Sequence, residues 1–128
     1  MDNGYKPEGY ASVSAYIVAD EAQRVIDFLK QTFKAEEFRR MENADGSIMH
    51  VEVKIDDTVV MLTDGSERFP PFIAWLHVYV PDVDATYARA LAAGGESVQA
   101  PVQKDDPDRR AGVKDPAGNI WWLATQVG

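Results

Sequence analysis

Apolar and polar residues alternate along several short segments of this chain. The clearest runs from Ser47 to Ile55, where every second residue is polar: His50, Glu52 and Lys54. Successive side chains of a strand point to opposite faces, so the pattern predicts a strand with one apolar and one polar face. Comparable segments rich in β-branched and aromatic residues predict further strands at 10–18, 38–42, 58–63, 72–80, 97–102, 110–114 and 120–125.

Two other segments have apolar residues at helical spacing. In the first, one apolar stripe is predicted to lie on a sheet: Ala22, Val25, Ile26, Leu29 and Phe33. Asp20, with Gln23 three residues later, forms a capping-box pattern, which predicts that this helix begins at Asp20. The second helix is predicted to begin at Asp82 or Asp84 and to end at Gly94-Gly95, a typical C-terminal glycine cap.

The order of these elements occurs twice, which indicates an internal repeat. Tyr16-Ile-Val-Ala-Asp20 precedes the first helix as Val78-Tyr-Val-Pro-Asp82 precedes the second. In this register Val13 corresponds to Trp75, Met61 to Trp122 and His50 to Arg110. We predict one α+β domain over 1–128, built from two tandem βαβββ modules at about 10–63 and 72–126 with a linker at 64–71. The helices would cover the outer faces, and the curved sheets would form a shared cleft.

Composition narrows the possible partners. The 128 residues are 45% hydrophobic, which suffices for a real core, and contain no cysteine, which excludes disulfides and thiolate sites. The net charge of −8 argues against binding to nucleic acid or an anionic membrane. This negative charge either keeps the protein soluble or attracts a cationic ligand. The polar start at 1–8 does not resemble a signal peptide, so we expect a cytoplasmic protein.

The last predicted strand carries two adjacent tryptophans after the turn Asp115-Pro-Ala-Gly-Asn119. Since neighbouring side chains of a strand face opposite ways, Trp121 and Trp122 must lie on different faces. We predict that Trp121 packs in the core beneath a helix and that Trp122 faces the cleft.

Several short motifs, in this order, resemble the vicinal-oxygen-chelate superfamily of glyoxalase I, bleomycin-resistance proteins and extradiol dioxygenases. The likeness is greatest to its PhnB-like branch and rests on 26–29, 33–36, 45–50, 80–84 and 115–119. The resemblance implies a cleft formed by two modules, commonly in a homodimer, with site residues on the concave sheets.

Enzymes of that superfamily usually hold a divalent metal with His, Gln or Glu on the first and last strands of a module. The resemblance carries those positions to Val13, Met61, Trp75 and Trp122. None of these side chains is a ligand for such a metal, so we predict no metal cofactor. His50 and Glu52 could supply two ligands elsewhere, but the sequence shows no convincing third, and we interpret them as polar lining of the cleft.

These observations lead to three hypotheses. The first is a metal-free protein that sequesters a small aromatic, possibly cationic molecule such as an antibiotic. The predicted ligand-binding residues are Trp75, Trp122, Met61, His77, Tyr79, His50 and Glu52. The second is the metal-dependent lyase, isomerase or dioxygenase activity that the resemblance implies. The third is a metal-independent enzyme with His50 or His77 as the general base.

Overall fold

The computed structural model describes residues 4–128 and confirms the predicted α+β architecture of two tandem modules. Module one contains β1 (Tyr16–Ala19), α1 (Ala22–Phe33), β2 (Glu36–Glu42), β3 (Ile48–Ile55) and β4 (Thr58–Asp64). Module two contains β5 (Trp75–Tyr79), α2 (Val83–Ala92), β6 (Glu96–Gln103), β7 (Asp108–Lys114) and β8 (Ile120–Gln126). In this part of the chain no helix has the length and apolar character needed to cross a membrane.

The two modules share one strand topology. The strand order is β1-β4-β3-β2 in the first sheet and β5-β8-β7-β6 in the second. In each sheet the first strand pairs in parallel with the last strand, and the other pairings are antiparallel. Both modules are therefore built in the same way from a helical crossover followed by a three-stranded meander.

The strand pairing corrects the register of the repeat by one residue in β1. Tyr16 pairs with Met61 and His77 pairs with Trp122, so Tyr16 and His77 occupy equivalent positions. The sequence register, which relates Val13 to Trp75, is wrong at this strand. Residues 10–15 were also expected to be part of β1, but the strand begins only at Tyr16. The short strand leaves the chain before it free to cross the sheet.

The predicted capping box at the start of α1 is wrong. The N-cap is Glu21, in a left-handed conformation, and its side chain makes no capping hydrogen bond. Asp64 at the end of β4 takes this role, because its Oδ1 accepts a hydrogen bond from the Ala22 backbone N–H at 2.7 Å. Parallel pairing of Ala19 with Asp64 brings this carboxylate to the helix end, a long-range contact that local sequence patterns do not reveal. The predicted cap of α2 is confirmed at Asp82.

The two modules share one core, in which α1 and α2 pack together. Trp121 is fully buried, as predicted, and its ring lies 5.6 Å from that of Phe33 at the end of α1. The Arg89 guanidinium on α2 donates a hydrogen bond to the backbone oxygen of Thr32 at 3.0 Å. Since the helices occupy one face of each sheet, the opposite face of each sheet carries the exposed side chains described next.

Candidate ligand-binding faces

The face of the second sheet opposite the helices is lined with aromatic side chains. Trp75, His77 and Tyr79 alternate along β5 on one face, and Trp75 and Tyr79 are 71% and 61% exposed. On the adjacent strand β8, the Trp122 ring meets Trp75 edge-on, with 5.6 Å between ring centroids. The His77 and Tyr79 rings are 4.9 Å apart. We call Trp75, His77, Tyr79 and Trp122 the aromatic face.

A glycine allows Trp122 to lie close against the sheet. Gly112 on β7 pairs directly with Trp122. A Cβ atom at Gly112 would stand 2.6 Å from the Trp122 Cζ3 atom, well inside van der Waals contact. The missing side chain therefore fixes the height of the indole above the strand.

Charged groups next to the aromatic face form a hydrogen-bonded cluster. Arg110 donates hydrogen bonds to Asp108 at 2.9 Å and to Asp106 at 3.1 Å, and its Nε donates to His77 Nε2 at 3.2 Å. The Tyr79 hydroxyl donates to Asp108 at 2.7 Å. Burial and the charge of Arg110 lower the pKa of His77, which favours the neutral imidazole that accepts from Arg110. A cavity of about 280 Å³ next to Trp122 is bordered by this cluster.

The face of the first sheet opposite the helices is polar at the equivalent place. The Tyr16 hydroxyl hydrogen-bonds to His50 Nδ1 at 2.7 Å, and His50 Nε2 hydrogen-bonds to the Glu52 carboxylate at 2.7 Å. Tyr10, on the segment that precedes β1, donates its hydroxyl hydrogen to the other oxygen of Glu52. The Arg39 guanidinium lies 3.8 Å from that oxygen. We call Tyr16, His50 and Glu52 the polar relay.

The pKa of Glu52 is lowered although the residue is only 2% exposed. Burial raises its pKa, but hydrogen bonds from Tyr10 and His50 and the charge of Arg39 together bring the pKa below the ordinary value. Burial and the Glu52 charge raise the pKa of Tyr16, which therefore remains a phenol. The relay thus joins a buried carboxylate to Tyr16, a residue that is 45% exposed.

A larger cavity of about 810 Å³ opens beside Tyr16. Its floor consists of β-strand side chains, and its walls are the turn 43–47 and the linker segment 64–69. The lining residues are Tyr16, Val18, Asn43, Asp45, Ser47, Ile48, Met49, Thr63, Asp64, Gly65, Ser66 and Phe69. All of them belong to module one or the linker.

The structure groups most of the predicted site residues. Trp75, Trp122, His77 and Tyr79 lie together on the aromatic face, and His50 and Glu52 lie together in the polar relay. Met61 pairs with both Tyr16 and Glu52, which places it beside the relay. Val13 stands apart: it is 84% exposed and precedes β1.

Sequence analysis did not single out Tyr10, Tyr16, Asp108 and Gly112. Tyr16 could have been found from the correct repeat register, because it is equivalent to His77. The role of Gly112 depends on its cross-strand partner, and the roles of Tyr10 and Asp108 depend on tertiary contacts. No local pattern signals these three.

The residues at the metal positions implied by the resemblance do not fit a metal. Met61, Trp75 and Trp122 have no hard oxygen or imidazole donor, and neither does Val13. Among residues 4–128, no group of three or more His, Cys, Asp or Glu side chains is arranged to hold an ion.

Comparison with known proteins assigns the family. Residues 11–123 match the family model of the Glyoxalase/Bleomycin resistance protein/Dioxygenase superfamily. The chain belongs to this superfamily. An uncharacterized protein of Mycobacterium bovis is 34% identical over 127 residues, covering 91% of this chain and 84% of the relative.

Two solved structures have a similar fold. TioX from Micromonospora sp. ML1 has a TM-score of 0.78 at 24% identity, over 91% of this chain and 99% of TioX. TnmS3 from Streptomyces sp. CB03234, an antibiotic binding protein, has a TM-score of 0.69 at 23% identity, over 91% of this chain and 98% of TnmS3. At these identities the likeness concerns the fold alone.

Proposed function

We propose that this chain is a metal-free binding protein that sequesters a small, planar aromatic molecule, such as an antibiotic, on the aromatic face. The observation that carries the proposal is the pair Trp75 and Trp122. Trp75, the first residue of the edge strand β5, is 71% exposed, and it meets Trp122 edge-on at 5.6 Å. Large aromatic side chains left exposed together are typical of binding surfaces.

The charges around the face favour a neutral or cationic ligand over an anionic one. The guanidinium of Arg110 is paired with Asp106 and Asp108, so it has little positive charge left to attract an anion. The protein as a whole carries a charge of −8. A cationic aromatic molecule would gain both from stacking on the indoles and from the surrounding negative potential.

A second copy of the chain would complete the site. The aromatic face and the polar relay lie on different sheets, and the cavity beside each is lined by one module alone. We propose a cytoplasmic homodimer of the PhnB-like branch, in which the exposed faces of two copies enclose the ligand. An antibiotic binding protein among the structural neighbours supports a sequestering role.

Isothermal titration calorimetry with a panel of planar aromatic antibiotics, in buffer with EDTA, tests the proposal. We expect saturable binding that Trp122→Ala or Trp75→Ala weakens about tenfold, since each change removes a stacking surface. Tyr5→Ala is the matched control, because Tyr5 is a 72% exposed aromatic outside both sheets. Sedimentation of the same samples measures the proposed dimer.

Two results would contradict the proposal. Affinities that are equal in wild type and in both tryptophan variants would remove the aromatic face from the site. Binding or turnover that appears only after a divalent metal is added would instead support the metal-dependent enzyme that the family also contains.

A further inference from the structure

We propose that a groove between the two modules binds a small organic phosphate, that is, a phosphate group attached to an apolar body. The groove is bordered by the ends of α1, β3 and β5 and by α2, and its volume is about 700 Å³. It lies apart from the sheet faces to which the proposed function assigns its ligand, and of the aromatic face and the polar relay only Tyr79 borders it. We call it the inter-module groove, and its charged lining residues are Lys34, Glu36, Lys54, Asp56 and Arg89.

The three cationic side chains of the groove are not neutralised by carboxylates. Arg89 is partly buried and donates only to uncharged acceptors, among them the backbone oxygen of Thr32 at 3.0 Å. Within residues 4–128, neither Arg89 nor Lys34 nor Lys54 forms an ion pair. The Lys54 ammonium lies beside Gly9, and its flexible stem allows it to turn into the groove. A guanidinium held in place by neutral partners keeps its full charge for an anion.

The local charge of the groove is opposite to that of the whole protein. The chain has 13 Lys and Arg residues against 21 Asp and Glu residues, whereas the groove has three cations against two carboxylates. Both of these carboxylates, Glu36 and Asp56, belong to exposed residues, while Arg89 and Lys54 are partly buried. Since water screens exposed charges more than partly buried ones, the cations dominate inside the groove. A phosphate monoester, with about 1.5 to 2 negative charges at neutral pH, matches this field.

Two strained backbone positions border the groove. Lys34 ends α1 with φ 56°, and Asp56 lies in the turn between β3 and β4 with φ 52°, so both are left-handed. Glycine adopts this conformation without strain, and many helices end on a glycine for that reason. Strain of this kind persists where the surrounding structure imposes it, and it clusters at binding sites. At Lys34 the strained position carries one of the three cations instead of a glycine.

Apolar side chains from both modules provide space for the body of the ligand. Phe33 and Ile55 come from module one, and Val78, Val80 and Pro81 come from module two. The volume of about 700 Å³ lies in the range of small-molecule sites. A ligand that contacts both walls links the two modules, so its binding should also stabilise the folded protein.

Hexyl phosphate, inorganic phosphate and hexan-1-ol separate the contributions of the head group and the apolar body. In titrations of the ¹⁵N-labelled protein at low salt, we expect hexyl phosphate to bind about tenfold more tightly than either of the other two. The backbone amides of Lys34, Ile55 and Val80, which border the groove, should shift on binding. Added sodium chloride should weaken the binding, because it screens the charges.

Single-charge variants test the role of the cations. Lys34→Asn removes a charge and introduces a residue that tolerates the left-handed backbone, so the fold should be kept. We expect it, and likewise Lys54→Gln, to weaken hexyl phosphate binding several-fold. Lys114→Gln is the matched control and should bind like wild type. Lys114 pairs with Glu96 in module two as Lys54 pairs with Glu36 in module one, but it lies outside the groove lining.

The outcome is independent of the antibiotic titrations, because Trp122→Ala should leave hexyl phosphate binding unchanged. Equal affinities for hexyl phosphate and hexan-1-ol, or no saturable binding of hexyl phosphate, would overturn the proposal. A loss of affinity in Lys114→Gln as large as that in Lys34→Asn would do the same, because it would indicate general attraction to the protein surface. So would amide shifts around Trp122 without shifts at the groove.

Discussion

Replacing a single atom of the Asp115 side chain should cost several kcal/mol of stability. Its carboxylate is 3% exposed and accepts four hydrogen bonds at the start of the turn that leads into β8. Oδ1 accepts from the backbone N–H groups of Ala117 at 2.8 Å and Asn119 at 3.1 Å. Oδ2 accepts from the Asn119 side chain at 3.0 Å and from the Trp121 indole at 2.8 Å.

Asp115→Asn keeps the shape of the side chain and removes half of its acceptors. The amide oxygen can still serve the two backbone N–H groups, but the new NH₂ group faces two donors, on Asn119 and Trp121. Both partners are buried, at 1% and 0% exposure, so water cannot replace the lost acceptor. A hydrogen bond to a charged group contributes about 1.5–3 kcal/mol, so losing two bonds should lower the free energy of unfolding by about 3–6 kcal/mol. Domains of this size are stable by only about 5–15 kcal/mol.

Urea unfolding followed by circular dichroism measures this loss as a lower midpoint at unchanged slope. Asp105→Asn, on the exposed loop between β6 and β7, removes the same charge without a buried partner and should stay within about 0.5 kcal/mol of wild type. If Asp115→Asn were as stable as Asp105→Asn, the hydrogen bonds to Trp121 and Asn119 would not hold this turn.

Two further predictions follow from local contacts. Hydrogen bonds from Arg40, and less strongly from Lys30, lower the pKa of Glu37 from 4.5 to about 2 in spite of its partial burial. A carboxyl group whose pKa is lower in the folded than in the unfolded protein stabilises the folded state at every pH above its unfolded pKa. Glu37→Gln should therefore lower the free energy of unfolding by its full amount above about pH 4.5. The difference from wild type should disappear as the pH falls toward 2. Because the cluster lies at the surface, we expect the largest difference in free energy of unfolding to be only about 1 kcal/mol. Urea unfolding of both proteins across that pH range measures it. A difference that does not change with pH would contradict the ion pair. Gly112→Ala should push the Trp122 ring off the sheet, since its Cβ would lie 2.6 Å from the ring. Weaker antibiotic binding and a changed tryptophan fluorescence spectrum should accompany it, and a spectrum and affinity equal to wild type would refute the contact.

The sequence predicted those features that depend on local periodicity. Alternation identified the polar side of β3 with His50 and Glu52, and adjacent positions on β8 separated buried Trp121 from partly exposed Trp122. Asp82 was found as the cap of α2 because its acceptor lies three residues from the donor, at Ala85. Each of these inferences required only the geometry of one strand or one helix end.

The features that were missed depend on partners far apart in the chain. The true cap of α1, Asp64, is 42 residues from Ala22 and reaches it only through the pairing of β1 with β4. The Tyr16 hydroxyl reaches His50 across 34 residues and two strand pairings. The sequence comparison aligned β1 with β5 one residue away from the register that the strand pairing shows. A shift of one residue along a strand exchanges its two faces. For this reason Tyr16 was not recognised as facing outward with His50.

The different chemistry of the two exposed sheet faces can be traced to one pair of equivalent positions. Glu52 pairs with Met61 in module one, and Gly112 pairs with Trp122 in module two. A buried carboxylate requires hydrogen-bonding partners, which the first module supplies from His50 and Tyr10. A position without a side chain leaves space that an indole ring can fill. Because a side chain at Gly112 would collide with that ring, an aromatic surface and a polar relay cannot both be built at this position. Two modules of one topology therefore carry unlike exposed faces, one aromatic and one built from hydrogen-bonded polar side chains.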